Sequence, residues 1–339
     1  PGLHFLGASC SARDTVRVSE PAVGESVESE PVETELAETE SITSTETSAD
    51  RCGPPRPDLV PPAAFRRGVI NVMADPSARP RARSYSSIVS TPTVTTVADG
   101  VHVAAGPDVN WTLLVDGTDV TLIDSGYPRY VGGVIESLAR LGRRPEDVRA
   151  ILLTHAHIDH IGGAAHFAAT YGTPLLTSSV EARHARREYL EQAGPADVVR
   201  NIWRPGAAAW ALRIARAGGT RSGAVPDADG FEAVVDAGGA LDLPGAPVPV
   251  ASPGHTSGHT GYHLPHAGAL LTGDALITGH ALCRHVGAQM LPNLFAHDRE
   301  GEIAALDAFT GHDADVLIPG HGPVMRLSLI HISEPTRLG

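Results

Sequence analysis

Three histidines and an aspartate fall within six consecutive positions of this 339-residue chain: His155, His157, Asp159 and His160, in the run Thr154-His-Ala-His-Ile-Asp-His-Ile-Gly-Gly163. A lone histidine is usually a surface or packing residue. A cluster this dense, directly after the apolar stretch Ala150–Leu153, suits metal chemistry. Neutral imidazole nitrogen and carboxylate oxygen are the ligands of Zn²⁺ and similar borderline ions. Side chains leaving a strand end can converge on one point from a loop and the first turn of the helix that follows, so helical i,i+4 spacing is not the device. Gly162 and Gly163 let the backbone pass close to the cluster.

Three later positions share the same grammar, an apolar strand followed by a Gly-flanked His or Asp. His255 follows Val248–Ala251, Asp274 follows Ala269–Leu271, and His321 follows Val316–Ile318. Seven donors are enough for two metal ions that share one ligand and keep a position open to solvent.

These donors need a scaffold of strand ends. Short β-branched runs at Thr93–Val97, Gly100–Ala104, Trp111–Val115 and Asp119–Ile123 read as an antiparallel meander. A helix is expected from Val131 to about Leu141, a buried strand at Ala150–Leu153, a helix at Ala164–Thr170 and a strand at Pro174–Thr177. Residues 179–217 read as a helical insert with breaks. Strands follow near Ala233–Val235, Val248–Ala251, Thr260–Leu264, Ala269–Leu271 and Val316–Ile318, with a helix at Arg299–Phe309. Two β-rich halves with helices outside make a layered α/β architecture.

The set His155-x-His157-x-Asp159-His160, His255, Asp274 and His321 resembles the metallo-β-lactamase-fold superfamily of metallohydrolases, with the motifs in the family's order over roughly residues 90–325. The resemblance implies a four-layer αββα sandwich with a dinuclear site along one edge. It implies that His155, His157 and His255 hold the first metal, that Asp159, His160 and His321 hold the second, and that Asp274 bridges them. Two Zn²⁺ are the expected cofactors, with Fe or Mn as substitutes. The family's early strand-turn aspartate is matched by Ile123-Asp124-Ser125-Gly126, which gives Asp124 the role of orienting a ligand histidine; a turn-forming aspartate is the plainer reading.

A pair of cations gives a hydroxide nucleophile near neutral pH and polarises a carbonyl. Asp159 is the candidate to accept and pass on a proton. The expected reaction is hydrolysis of a thioester, lactone or carboxylic ester of a small molecule. The resemblance implies little β-lactamase activity, because that branch generally has Cys or Ser where Asp274 stands. The segment Pro253-Gly-His-Thr-Ser-Gly-His259 resembles hydroxyacylglutathione hydrolase (glyoxalase II). The alternatives are a mononuclear iron enzyme resembling the persulfide dioxygenases, and a phosphodiesterase or ribonuclease of the same fold. A non-catalytic metal-binding relative is disfavoured by the filled donor positions. His259 and His263 read as residues outside the ligand set. Trp203 and Trp210 read as packing within the insert, with a cap over the site as the other reading.

Composition narrows the class further. Hydrophobic residues make up 42% of the chain, enough for a large core, and no apolar run approaches the roughly 20 residues of a membrane helix. Gly (36) and Pro (27) follow no Gly-X-Y period, so collagen is excluded. Residues 86–326 carry 25 acids against 16 Arg, a net −9, which disfavours a nucleic-acid partner. Every basic residue is Arg, a sign of GC-rich coding rather than of an arginine surface. Cys10, Cys52 and Cys283 form no disulfide framework, so a cytoplasmic location is the default expectation.

Residues 1–85 are expected to be disordered and linker-like. Positions 20–50 hold ten acids and no bases, and 51–85 are rich in Pro and Arg. Met73 is a plausible true start; mistranslated sequence before it and a real tail are equal alternatives. Leu3–Cys10 loosely suggests a lipoprotein signal, with chance the stronger reading. The folded domain is expected over 86–326. Residues 327–339 read as a translated sequencing adapter.

Overall fold

A computed structural model describes residues 91–231 and 239–327. The strand expected at Ala233–Val235, the N-terminal extension 1–85 and positions 328–339 of the adapter-like tail lie outside the described residues.

The meander forms as the alternating runs predict. Strands β1 (Thr93–Ala98), β2 (Val101–Ala105), β3 (Asn110–Asp116) and β4 (Asp119–Ile123) pair antiparallel in sequence order. Helix α1 (Val131–Arg140) then crosses over to β5 (Val148–Leu152), which pairs parallel to β4. Helices α2 (Ile158–Ile161) and α3 (Ala164–Tyr171) lead to β6 (Leu175–Thr177), also parallel. The insert consists of α4 (Ser179–Ala185), α5 (Pro195–Arg200) and α6 (Ala207–Ala217), broken at Gly194-Pro195 and Gly206. The two-residue strand β7 (Asp229–Gly230) closes the seven-stranded sheet.

The second sheet has five strands in the order β12-β11-β10-β9-β8. They are β8 (Val248–Ala251), β9 (Thr260–Leu264), β10 (Ala269–Gly273), β11 (Val316–Pro319) and β12 (Met325–Arg326). Only β10 and β11 pair parallel. The helix expected at Arg299–Phe309 divides into α7 (Arg299–Ala305) and a 3₁₀ turn (Leu306–Phe309).

Strand alternation sorts the core into layers. Leu113, Leu122, Ile151 and Leu153 turn outward onto Val134 and Leu138 of α1 and Phe167 of α3. Their neighbours Leu114, Ile123 and Leu152 turn inward onto Tyr262, Leu264, Leu271 and Ile318 of the second sheet. On that sheet's far face, Leu270 and Leu317 pack against Leu306 and Phe309. The stacking is helix, sheet, sheet, helix: the expected αββα sandwich. Each of these side chains adds about 1.5–3 kcal/mol by leaving water. Together they fix the two sheets with the donor-bearing strand ends along a common edge.

Candidate metal centre

The parallel strands β4 and β5 end side by side, and so do β10 and β11. After β5 the chain runs through Leu153 and Thr154 to His155 and His157, and the short α2 then presents Asp159 and His160. His255 lies in the connection between β8 and β9, Asp274 immediately follows β10, and His321 follows β11 by two residues. All but Asp159 are buried, and Asp159 is partly so.

The structure brings all seven predicted donors together. His157 Nδ1 and His255 Nε2 face each other at 3.1 Å. Asp274 Oδ2 lies 3.5 Å from His255 Nε2, 3.8 Å from His155 Nε2 and 3.1 Å from His321 Nε2, while its Oδ1 lies 3.5 Å from His160 Nε2. Asp159 Oδ2 lies 3.4 Å from His321 Nε2 and 3.9 Å from His160 Nε2. Donor atoms group as His155/His157/His255, His155/His160/Asp274 and Asp159/His160/His321, each group within 4.8 Å.

The donors fit a divalent cation. Bonds of about 2.0–2.1 Å in a tetrahedral shell separate neighbouring donors by roughly 3.3 Å. His155 Nε2, His160 Nε2 and Asp274 Oδ1 are buried with no hydrogen-bond partner. Burying a polar atom unpaired costs about 1–3 kcal/mol, a cost that a cation among them would remove.

The rings are held from outside. His160 Nδ1 lies 2.8 Å from Asp124 Oδ2, and the same carboxylate accepts the Thr154 N–H at 2.9 Å and the Thr154 hydroxyl at 2.8 Å. His321 Nδ1 donates to the Asp108 carbonyl at 2.6 Å. His157 Nε2 donates to the main-chain carbonyl of Glu191. His259 stands outside the donor set as expected: its Nε2 accepts the Asp274 N–H at 3.1 Å. His263 turns elsewhere, donating to the Asp313 carbonyl.

Burial, and then the neighbouring His160 and His157, push His155 well below the usual histidine range. Burial, and then His255, bring His157 to about 3. Both imidazoles are therefore neutral at pH 7, the form a metal ligand requires. For His160 and His321 burial also acts downward, but the carboxylates outweigh it. Asp274 and Asp124 hold His160 well above its ordinary value, and Asp274 and Asp159 raise His321 to about 10. Burial opposes ionisation of Asp274, yet His321 and His160 hold it well below the carboxylate range. A cation entering among these groups takes the place of their protons.

Gly162 seats the donor turn against a neighbouring turn. A Cβ there would overlap Tyr127, Gly126 and Pro128, so the glycine lets the donor turn pack on the 125–128 turn beyond Asp124. Gly320 is the close-approach residue: a Cβ would fall 2.1 Å from Asp274 Oδ1.

Sequence patterns missed several contributors. Glu181 is fully buried and accepts from the Ala156 N–H, the Thr256 hydroxyl and His184 Nδ1, joining the two ligand turns. Glu302 Oε1 lies 3.7 Å from His255 Nδ1. The Tyr127 hydroxyl donates to Asp159 Oδ2 at 3.5 Å. The His280 ring lies 5.3 Å from that of His321. The one local signal was Ser178-x-x-Glu181, a helix-start pattern in which Ser178 caps the Glu181 N–H, but the carboxylate turns inward.

The two tryptophans part company. Trp210 is buried and packs edge-on to His280 and Phe295, so it joins the insert to the 280–295 segment beside the centre. Trp203 is 77% exposed and does not pack the insert as expected, because it falls in the turn after α5.

A family model described as the metallo-beta-lactamase superfamily matches residues 105–321, more than half of the chain. The chain belongs to the metallo-beta-lactamase superfamily. Among curated superfamily relatives it is 32% identical over 213 residues to a hydroxyacylglutathione hydrolase of Anaeromyxobacter dehalogenans, covering 61% of this chain and 62% of that protein. It is 25% identical over 177 residues to "Probable metallo-hydrolase YybB" of Bacillus subtilis, covering 50% of this chain and 63% of the relative. The chain thus spans under two thirds of the length of both. Among solved structures, a metallo-beta-lactamase family protein of Thermus thermophilus is 24% identical with a TM-score of 0.47, covering 68% of this chain and 76% of its own. Among the described residues, no helix is long and apolar enough to cross a membrane.

Proposed function

We propose that this chain is a metal-dependent hydrolase that holds two divalent cations and cleaves a thioester, lactone or carboxylic ester of a small molecule. The observation that carries the reading is the position of Asp274, with one oxygen toward His160 and the other toward His155, His255 and His321. A carboxylate so placed serves both donor sets. His155, His157 and His255 would hold one cation, and Asp159, His160 and His321 the other, with Asp274 between. Imidazole and carboxylate donors favour zinc, and iron or manganese accept the same set.

When bound, such a pair of cations lowers the pKa of water toward neutrality and polarises a carbonyl oxygen. The chain's own residues do the rest. In the metal-free chain His160 and His321 keep the Asp159 carboxylate ionised against the opposing effect of burial, and a bound cation would take over that role; Asp159 is assigned the proton from the attacking water. The Tyr127 hydroxyl steadies that carboxylate. Asp124 fixes the tautomer and plane of His160.

Two measurements on the purified protein test the reading. Metal analysis should return two equivalents of zinc per chain. A panel of thioesters, lactones, carboxylic esters, phosphodiesters and cephalosporins should show turnover confined to the first three groups. One iron per chain, or turnover only of phosphodiesters, would replace this assignment with another.

A further inference from the structure

The helical insert returns over the ligand turns at residues 187–192. Arg187 Nη1 donates to the Ala156 carbonyl at 2.8 Å, and the Ile158 N–H donates to Gln192 Oε1 at 3.0 Å. Between these two, Glu191 touches both turns of the three-histidine set. Its main-chain carbonyl takes the His157 Nε2 proton. Its carboxylate accepts the Ser257 N–H and the Ser257 hydroxyl, each at 2.7 Å, two residues beyond His255. His297, whose own N–H donates to the His255 carbonyl, brings Nε2 to 3.4 Å from the same carboxylate.

The contact has chemical direction. A carbonyl can only accept, so the His157 proton sits on Nε2 and the Nδ1 lone pair is bare. That lone pair faces His255 Nε2 at 3.1 Å. The donors come from turns 98 residues apart in the chain, and Glu191 ties one to the other. We propose that Glu191 is a positioning residue for the His155/His157/His255 donor set: beside the main-chain carbonyl that takes the His157 proton, its carboxylate holds the His255 turn at the spacing one cation needs. The proposal rests on the metal-centre reading above.

The experiment uses the full chain stripped of metal and titrated with zinc against a competing chelator, with cobalt absorption as a second readout. Glu191→Ala should weaken one zinc equivalent about 10- to 100-fold, as loss of outer hydrogen-bonding partners does elsewhere, and leave the other unchanged. Glu191→Gln, whose amide oxygen still accepts, should recover part of the loss. Ser257→Ala should weaken the same equivalent, and the double variant should be no worse than the more severe single. A merely structural role would weaken both equivalents together. Equal weakening of both, unchanged affinities in Glu191→Ala, or fully additive losses would each overturn the proposal. If the wild-type protein binds a single equivalent, the two-cation reading fails separately. The affinity ratio for that one ion then decides the role of Glu191: tenfold weaker in Glu191→Ala supports it, and unchanged overturns it.

Discussion

Oδ2 of Asp124 stands 2.8 Å from Nδ1 of His160, a buried contact between residues 36 apart in the chain. Asp124 has left-handed backbone, with φ of 60°, a conformation that Asp tolerates better than most residues. Three hydrogen-bonding contacts hold its carboxylate there. The geometry suits both readings offered from sequence, a turn former by its backbone and an orienting residue by its contact with His160. Asp124→Asn removes the charge and the clear acceptor for His160. Zinc affinity at the donor set containing His160 should fall about 10- to 100-fold, measured by chelator competition. An unchanged affinity would leave Asp124 as a turn residue only.

Gly320→Ala should reduce metal uptake while the fold persists. The added methyl would lie 2.1 Å from Asp274 Oδ1 and 2.9 Å from His160 Cε1. The backbone has little room to retreat, because the Gly320 N–H donates to the Gly273 carbonyl and its own carbonyl accepts the Asn110 N–H. Circular dichroism should be unchanged and bound zinc should drop to one equivalent or less. A variant that keeps two equivalents would show that Asp274 does not bridge.

The metal-free protein should be most stable near pH 6.5. His157, His259 and His280 each fall from 6.5 to about 3 on folding, all chiefly through burial. The unfolded chain therefore binds protons between about 6.5 and 3 that the folded chain refuses, and stability drops as pH falls through that window. His321 has the opposite sign. Its folded value of about 10 gives stability that is complete below 6.5 and disappears as pH rises through about 10. Melting temperatures in EDTA from pH 4 to 10 should trace a peak, falling on the acid side where His155 acts with His157, His259 and His280 and on the basic side where His160 acts with His321. A maximum at pH 9 would contradict the assignment.

The two tryptophans should separate in a stability assay. Trp210→Ala empties a buried aromatic position and should cost about 3–5 kcal/mol. Trp203→Ser changes an exposed residue and should stay within about 0.5 kcal/mol. Denaturant unfolding measures both, and equal costs would mean that Trp203 is covered in solution.

What was legible in the sequence follows from the range of each interaction. The donors His155, His157, Asp159, His160, His255, Asp274 and His321 sit in local patterns of apolar strand, turn and glycine, which a linear reading can register. The layers were legible for the same reason, since alternation in runs such as Leu113-Leu114 and Leu152-Leu153 is local. Nothing local ties Glu181, Glu191 and Glu302 to the donor turns, because their partners Thr256, Ser257 and His255 lie 75, 66 and 47 positions away. His280 had no motif around it. Strands β7 and β12 have two residues each, too few for any alternation to show.

Each cation position assigned above draws on both halves of the sandwich. Residues 155–160 hang from the first sheet, whereas His255, Asp274 and His321 hang from the second. Asn110 of β3 already stitches the halves, donating through Nδ2 to the carbonyls of Pro319 and Gly322. Metal ions seated there would act as rivets through a seam. Prising the sheets apart and releasing the ions would then be a single event, so scavenging zinc would loosen the joint itself as well as silence the chemistry.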